Sequence, residues 1–488
     1  MTATALSLFF RENRDRFRSV ESLLVNWDDP RGGSDFSSFI TGNRLPLEKT
    51  LSSILRDIPE RVGVDDGTWI DRISGKDSRF SVSELQVSDD FKIVREVRKK
   101  AQEKDDDRTY TWAGYRMKTI AGEDVLSFLS RRAIIPKYGF PVDVVELDTQ
   151  STKQNQGGSE VSLQRDLSIA ISEFAPTAGL VANKKLWISY ALKKGVEKEW
   201  ERWWYARCSV HARFERKPWG KERPLFEKCC DSMFVYQYIE PAFGFITGRE
   251  KPKEPGGRPA RVFTTRPYFA GFRDKEGDQL KFGPISLTTV SPGYMVVLCE
   301  GKRGEGFFIC PKCGAGFRKF QKSHDTPYGE KCFSAPESLR SNRVSLGHEL
   351  ITDILKINFN LPPENDMEPV WFAYSLSYAL QEGAAEILDV PATDLNSTVA
   401  FSSMAQPVPP IILYDNVPGG AGLVSGLQKE NVLRKCLEVA MKRVSGNCGC
   451  GEQDSCYGCL RSYRNQFAHQ YLKRGPVMNY LQTILENM

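Results

Sequence analysis

Four cysteines lie within twelve positions near the end of the sequence, in the segment GNCGCGEQDSCYGCLRSYRNQ at residues 446–466. They form two close pairs, Cys448-x-Cys450 and Cys456-x2-Cys459, an arrangement typical of a tetrahedral metal site. Four thiolates fill the coordination shell of a zinc ion, so we expect a structural site and not a catalytic one. An iron–sulfur cluster is the alternative, although the spacing does not follow the ferredoxin patterns.

A second metal-binding turn is indicated by the sequence ICPKCG, in which two residues separate Cys310 from Cys313 and a glycine follows. The remaining ligands must come from downstream, where His324 and Cys332 are the next residues of ligand type. Three cysteines and one histidine suit zinc, so this set predicts a second zinc site. An exposed loop histidine without a metal is the alternative for His324.

A third set of cysteine and histidine residues is less regular in its spacing and consists of Cys208, His211, Cys229 and Cys230. These residues could bind a third metal ion, but core or surface thiols explain them equally well. The other two cysteines, Cys299 and Cys436, lie in apolar stretches and are expected in the hydrophobic core.

Aromatic and basic residues follow the C-terminal cysteines directly. On a helix, one stripe would carry the side chains of Leu460, Tyr463, Phe467 and Tyr471. We interpret that stripe as core packing. The candidate nucleic-acid-binding residues lie largely off it and are Arg461, Arg464, Lys473 and Arg474. A solvated basic face is the alternative for these four side chains.

Bulk composition limits the classes of protein that the chain can represent. Its 488 residues suffice for about three domains. The 67 basic and 62 acidic residues give a net charge of only +5, so any nucleic-acid surface must be a local patch. No stretch approaches the roughly 18 consecutive apolar residues of a membrane span, and the N-terminus lacks a signal-peptide pattern. We therefore expect a cytoplasmic protein, whose reduced cysteines bind metal and do not form disulfides.

The pattern of apolar residues predicts a mixed α+β fold in several parts. We expect an N-terminal mixed region at 1–120, a strand-rich region at 121–345 that contains the 310–332 knuckle, and an α/β region at 346–488 that ends in a helical four-cysteine module. The predicted helices cover residues 45–62, 91–107, 368–388 and 430–444, and the predicted strands cover 186–192, 203–215 and 345–359. The 91–107 helix is expected to be solvated, and the polar stretch 148–160 is expected to be a mobile loop.

Motifs for catalysis are scarce. The chain has no G-x4-G-K-[ST] match for phosphate binding, and the glycine-rich YDNVPGGAGL at 414–423 lacks the lysine and hydroxyl residue of such a loop. We interpret that stretch as a tight, packed turn. On these grounds we expect the chain not to be an enzyme and any ATPase to belong to a partner.

Several segments, in the same order along the chain, resemble one family. They are IIPKYGFPVDVVEL at 134–147, WISYAL, the ICPKCG knuckle with its downstream histidine and cysteine, LYDNVPGGAGL, and the ending SCYGCLRSYRNQ. Together they resemble a helicase-associated domain, long of unknown function, whose zinc-bearing end is called MZB. The resemblance covers about residues 125–475. The domain usually follows the two motor domains of superfamily 2 DNA helicases, but it also occurs without motors. The chain looks most like the DrmB proteins of DISARM anti-phage systems, which are free-standing, motor-free and of similar size.

The resemblance implies a function and a partner. It implies a non-catalytic subunit that forms a heterodimer with a DrmA-like superfamily 2 helicase, binds DNA and acts in anti-phage defence. It also places zinc at the C-terminal cysteines and at the 310–332 knuckle. The alternatives are a stand-alone, zinc-stabilised nucleic-acid-binding protein and a metal-dependent nuclease.

Overall fold

Contacts within the chain divide it into two units, Met1–Val142 with Val196–Lys198, and Asp143–Gly195 with Glu199–Met488. The computed structural model describes residues 2–54, 67–103, 105–132, 134–135, 144–149, 163–194, 199–208, 210–220, 222–250, 252–256, 262–272, 277, 279–401 and 406–488. The second unit holds most of the predicted strand-rich region together with the C-terminal region. The three-region division at 120 and 345 stays a prediction of domain organisation.

The described part of the N-terminal unit is helical. Its α-helices are α1 Thr2–Glu12, α2 Val20–Leu24, α3 Gly32–Gly42, α4 Arg44–Ile54, α5 Trp69–Ser74, α6 Arg79–Glu103, α7 Asp107–Ala121 and α8 Val125–Arg131. Aromatic side chains fill its core, where the rings of Phe9 and Phe36 meet edge to face at 5.5 Å. The helix predicted at 45–62 is present as α4, and its later residues lie outside the described residues. The helix predicted at 91–107 is the second half of α6, but Phe91 and Val97 are buried, so a fully solvated helix was wrong there.

A buried carboxylate stabilises the start of α3. The backbone N–H of Gly33 donates to Oε2 of Glu84 at 2.9 Å, while the other carboxylate oxygen of Glu84 has no partner among the described residues. Burial, opposed by backbone N–H donors of Gly33 and Gly32, raises the pKa of Glu84 to about 7. The side chain therefore binds a proton more tightly in the folded unit than in the unfolded chain.

This raised pKa predicts a pH-dependent stability of the N-terminal unit. The contribution is fully present below the unfolded pKa of 4.5 and is lost as the pH rises through about 7, a difference of about 3 kcal/mol. We expect the neutral variant Glu84→Gln to remove that part of the pH dependence. Urea unfolding at pH 5 and pH 8, followed by hydrogen exchange of α6, measures the free energy of unfolding of this unit at each pH. Glu96→Gln, at an exposed position of the same helix, is the matched control; equal pH dependence in Glu84→Gln and wild type would contradict the assignment.

Two sheets and several helices form the second unit. Its strands are β1 Val144–Asp148, β2 Gln164–Asp166, β3 Gly179–Ala182, β4 Lys185–Leu192, β5 Arg202–Cys208, β6 Phe214–Pro218, β7 Met233–Ile239, β8 Phe245–Thr247, β9 Arg266–Phe272, β10 Gln279–Phe282, β11 Ile285–Cys299, β12 Phe307–Ile309, β13 Gly316–Phe317, β14 Arg343–Phe359, β15 Leu395–Val399 and β16 Ile411–Asp415. Its α-helices are α9 Leu167–Glu173, α10 Pro336–Ser341, α11 Pro369–Ile387, α12 Glu430–Val444 and α13 Arg474–Glu486. No helix in the described ranges combines the length and the apolarity that a bilayer crossing needs. The predicted mixed α/β fold is confirmed.

The smaller sheet has the strand order β2-β1-β8-β4-β3, and the larger sheet follows the path β10-β11-β14-β7-β5-β6. Strand β14 is the central element of the larger sheet. It pairs antiparallel with β11 from Phe359 opposite Ile285 to Leu346 opposite Cys299. Along its other edge it pairs in turn with β12, β7 and β16. One strand thus connects the 310–332 knuckle with the C-terminal region.

Helix α11 is buried on nearly every side, which explains its apolar and small residues. Pro369 opens it, where a missing N–H costs nothing. Helices α12 and α13 and strands β15 and β16 pack around it. The close approach of α12 requires Gly383, since an added Cβ there would lie 2.5 Å from the carbonyl oxygen of Cys436. This packing supports the turn of four cysteines that follows α12.

The other predicted elements of this unit are found with shifted bounds. Strands occupy the segments predicted at 186–192 and 345–359, and helices occupy those predicted at 368–388 and 430–444. The strand expected at 203–215 is instead a hairpin of β5 and β6. The loop predicted at 148–160 lies almost entirely outside the described residues. Cys299 and Cys436 are buried in the core as predicted.

Candidate metal centres and nucleic-acid surface

The structure brings twelve side chains together in three groups of four, with the ligand atoms of each group within 4.8 Å of one another. The groups are Cys208, His211, Cys229 and Cys230; Cys310, Cys313, His324 and Cys332; and Cys448, Cys450, Cys456 and Cys459. In a tetrahedral zinc site with metal–sulfur bonds of about 2.3 Å, two sulfurs lie about 3.8 Å apart, and a sulfur and a histidine nitrogen lie about 3.5 Å apart. The distances within each group are compared with these two separations.

The C-terminal group fits a zinc ion. The Sγ atoms of Cys448 and Cys450 are 3.3 Å apart, and that of Cys459 lies 3.7 Å from Cys450 and 3.8 Å from Cys456. The group follows α12 and packs on the core around α11, with Cys459 fully covered. The backbone N–H of Cys450 lowers the pKa of the Cys448 thiol to about 7, whereas burial raises the pKa of the Cys450 and Cys459 thiols, so without a metal only part of the group ionises readily.

A tight turn brings the second pair of this group into place. The carbonyl oxygen of Cys456 accepts the N–H groups of Cys459, Leu460 and Arg461. The N–H of Cys456 points back to the Sγ of Cys459 at 3.1 Å, and the N–H of Gly458 donates to the Sγ of Cys456 at 3.3 Å. Donors of this kind stabilise thiolates. The turn therefore holds both sulfurs toward one point.

Arg474 supports the same group from inside the protein. Its Nε and Nη2 donate to the carbonyl oxygen of Cys450 at 2.9 and 2.8 Å, and its Nη1 donates to that of Val444 at 3.2 Å. Gly446 has a φ of 102°, and an added Cβ there would lie 2.9 Å from the guanidinium. Arg474 is 7% exposed. Its predicted role in binding nucleic acid was therefore wrong, because the guanidinium is buried against backbone carbonyls.

The second group joins the end of β12 to a loop. The Sγ atoms of Cys310 and Cys332 are 3.9 Å apart, and Sγ of Cys313 lies 3.4 Å from Nε2 of His324. Backbone pairing fixes the loop, since the N–H of Cys332 donates to the carbonyl oxygen of His324. Both distances suit a tetrahedral zinc site. The position of His324 among these thiols argues against an isolated loop histidine.

The third group is as close as the other two. Cys208 ends strand β5, and its Sγ lies 3.4 Å from Sγ of Cys230 and 3.5 Å from Nδ1 of His211. Cys229 completes the set. The turn of the β5–β6 hairpin carries His211, and the chain entering β7 carries the adjacent cysteines. The sequence left this set open between a metal site and separate thiols, and the structure places its four ligand atoms together.

The segment after the C-terminal cysteines is not the predicted helix. Among its described residues only Gln466–Ala468 form a short 3-10 turn. Asn465 explains the interruption, because its side chain accepts the N–H of Ser462 and donates to the carbonyl of Leu460. Leu460 is buried, but Tyr463 is 52% exposed, so the apolar stripe was wrong as a single packed face.

The three other predicted basic residues lie at least partly at the surface. Nε of Arg461 donates to Oγ of Ser455 at 3.0 Å, and Nζ of Lys473 donates to Oε1 of Gln453 at 2.9 Å. Nη1 of Arg464 donates to the carbonyl oxygen of Thr393 at 2.9 Å. The first two side chains are thus attached to the loop of the C-terminal group.

An aromatic and basic surface on the β5–β6 hairpin escaped the sequence reasoning. The rings of Trp204 and Trp219 stack at 4.9 Å with an angle of 20°, and the guanidinium of Arg202 lies 4.8 Å from the centre of the Trp219 ring. Trp219 is 42% exposed. The pattern of tryptophan beside lysine in KPWGK was the available signal, because exposed aromatic rings with cations suit stacking on bases.

The glycine-rich turn after β16 does not offer its N–H groups to an anion. The carboxylate of Asp415 accepts those of Ala421, Leu423 and Val424 at 2.8 to 3.0 Å. Asp353 accepts that of Gly422 at 2.9 Å. The donors that could bind phosphate are therefore bound to carboxylates of the protein itself, as expected for a packed turn.

With three four-ligand groups and a helical C-terminal module in place, the chain can be compared with known proteins. Residues 376–460 match the family described as MZB, the MrfA Zn-binding domain. This range contains all four cysteines of the C-terminal group. The chain thus contains an MZB domain with zinc as its metal, as the sequence predicted, and zinc replaces the iron–sulfur alternative.

The similarity to one curated protein extends over almost the whole chain. The Druantia protein DruE of Escherichia coli (strain UMEA 4076-1) is 24% identical over 536 residues, covering 97% of this chain and 27% of DruE. Crystal structures of the DUF1998 helicase MrfA bound to DNA, and bound to DNA and AMPPNP, each match 76% of this chain at 12% identity. They have TM-scores of 0.34 and 0.22, and the matches cover 40% and 44% of the MrfA chains. The chain therefore spans about a quarter of DruE.

These matches correct the expectation that the chain is not an enzyme. This chain matches only 27% of DruE, so a motif that these residues lack says nothing about the activity of a protein of that kind. The missing phosphate-binding motif in this sequence therefore does not class the protein as non-enzymatic.

Proposed function

We propose that this chain is a DNA-binding component of a superfamily 2 helicase system in anti-phage defence. The observation that carries the proposal is the MZB domain, which is named for the zinc-binding domain of the helicase MrfA. The similarity to DruE over 97% of the chain supports a role that involves more than the zinc module. The motor-free DrmB proteins of DISARM systems suggest the form of the complex, in which a DrmA-like helicase is the partner. A cytoplasmic location suits its free cysteines.

The C-terminal metal group gives this function its physical basis. A zinc ion held by the four cysteines would fix the loop that carries Gln453 and Ser455, and these residues position Lys473 and Arg461 by hydrogen bonds. Fixed cations at the surface can follow a phosphate backbone with little loss of side-chain entropy. The Trp204–Trp219 stack offers a second contact, suited to unpaired bases.

The double variant Arg461→Ala with Lys473→Ala tests the DNA contact. Each lost phosphate contact with duplex DNA should reduce the slope of log affinity against log salt by about 0.9, so we expect a slope smaller by about 1.8. Fluorescence anisotropy with labelled duplex at salt concentrations between about 50 and about 200 mM measures the slope. Lys435→Ala with Lys442→Ala, both exposed on α12, is the charge-matched control. Equal slopes for the two double variants would refute phosphate binding by this loop.

The helicase partner requires a separate test. Affinity purification of the tagged chain from cells that co-express a DrmA-like superfamily 2 helicase should recover a complex of the two proteins. Recovery of the chain alone at low salt would overturn the partner part of the proposal, whatever its DNA affinity.

A further inference from the structure

A cavity of about 190 Å³ lies between α11, strands β9, β11 and β14, and the segment after the C-terminal cysteines. A water molecule occupies about 30 Å³ of liquid, so this volume corresponds to about six waters or one planar heterocycle. The cavity reaches the surface beside Tyr463, which is 52% exposed. None of the twelve metal-group side chains lines it. It is thus a separate site.

Two polar groups in the wall lack partners. Tyr378 on α11 is 6% exposed and lines the cavity, and its hydroxyl has no hydrogen-bond partner among the described residues. Asn396 on β15 also lines it; its Oδ1 accepts the N–H of Ser397 at 2.9 Å, and its amide nitrogen is unpaired within the described ranges. Polar groups that line a cavity and are free to form hydrogen bonds indicate water or a polar ligand there.

A cation lies in the same wall. Arg464 donates one hydrogen bond to the carbonyl oxygen of Thr393, and no described carboxylate lies within ion-pair distance of its guanidinium. Asp166 also lines the cavity, but its Oδ1 already accepts the N–H and the hydroxyl of Ser168. The remaining guanidinium donors suit a phosphate oxygen.

We propose that this cavity receives one unstacked base of a single-stranded nucleic acid, with the adjoining phosphate at Arg464. The inference rests on the proposed DNA-binding function and specifies the strand form that the chain contacts. The exposed ring of Tyr463 offers a face for stacking, and the hydroxyl of Tyr378 and the amide of Asn396 meet the polar edge of the base. The volume admits one base and excludes a paired one.

Binding of two 12-nucleotide strands by the full chain tests the proposal: oligothymidine, and the same phosphate backbone with abasic sites throughout. We expect wild type to prefer the strand with bases by about tenfold. Tyr378→Phe should bind oligothymidine about three- to tenfold more weakly, the range of one hydrogen bond, and bind the abasic strand unchanged. Asn396→Ala should behave in the same way. Tyr471→Phe, which removes a hydroxyl at a 39% exposed position, is the matched control and should have no effect.

The possible outcomes distinguish the base site from the proposed DNA-binding function. Equal affinity of wild type for both strands would overturn the base site and leave DNA binding standing. If Tyr378→Phe and Asn396→Ala lowered the affinity for both strands equally, the base site would also be overturned, since a general disturbance of the fold would give that result. Binding of neither strand nor of duplex by wild type would overturn the proposed function itself.

Discussion

Replacing Cys456 by serine is expected to remove one zinc ion per chain and to unfold the loop around the C-terminal cysteines. Metal binding supplies about 10 kcal/mol or more to the folding of small thiolate sites, and three remaining ligands cannot complete the tetrahedron. Thiolates only 3.3 to 3.8 Å apart would repel one another without the ion. Elemental analysis should find the three zinc ions expected from three groups reduced to two. Limited proteolysis should then cleave near residue 454.

Cys436→Ala is the control for this result. Cys436 is buried in α12 beside the same core but belongs to none of the three groups. Its loss should cost about 1–2 kcal/mol of stability at most and leave three zinc ions bound. If Cys456→Ser kept its full zinc content, the assignment of this ligand would be wrong.

Replacing Arg474 by alanine is expected to loosen the same zinc site without removing a ligand. The change breaks the hydrogen bonds to the carbonyl oxygens of Cys450 and Val444 and leaves both acceptors buried. Hydrogen bonds from a charged donor contribute about 1.5–3 kcal/mol each, so we expect a loss of about 3–5 kcal/mol. Zinc should remain bound after purification but transfer to a chelator at least tenfold faster. Thermal unfolding and chelator kinetics measure the two effects.

The neighbouring Lys473→Ala provides the control, because that side chain lies at the surface and bonds only Gln453 among the described residues. It should leave both the thermal midpoint and the zinc release rate near those of wild type. Arg474→Lys should recover only part of the loss, since one ammonium group cannot reproduce the planar fork that spans both carbonyls. A normal zinc release rate in Arg474→Ala would refute the supporting role.

The sequence was sufficient for the ligand pairs and for the main elements of the second unit. Ligands such as Cys310 and Cys313 meet through one local turn, and that geometry is encoded in a few adjacent residues. Helix α11 and strand β14 are long enough for their apolar patterns to be unambiguous. The packed turn after β16 could also be predicted, because its glycine-rich sequence lacks the lysine that a phosphate-binding loop needs.

Features that depend on distant residues could not be predicted. The third metal group needs the pairing of β5 with β7, which brings Cys208 to the adjacent cysteines more than twenty residues away. The side chain of Arg474 points inward because it binds the carbonyl oxygens of Val444 and Cys450. Its charge alone suggested a position at the surface. The solvated helix at 91–107 failed for the same reason, because Phe91 stacks on Trp27, which lies in the distant connection between α2 and α3.

The pairing of β14 has a consequence for the order in which a ribosome completes this protein. The C-terminal half of β14 forms its second set of ladder bonds with Ile411–Tyr414 of β16, about fifty residues after β14 ends. At about 5–20 residues per second, this edge stays open for about 3–10 s while α11 emerges. A nascent chain therefore carries a long apolar strand with an unpaired edge, which is the kind of surface that chaperones bind and that aggregates form on. Emergence of β16 is what closes it.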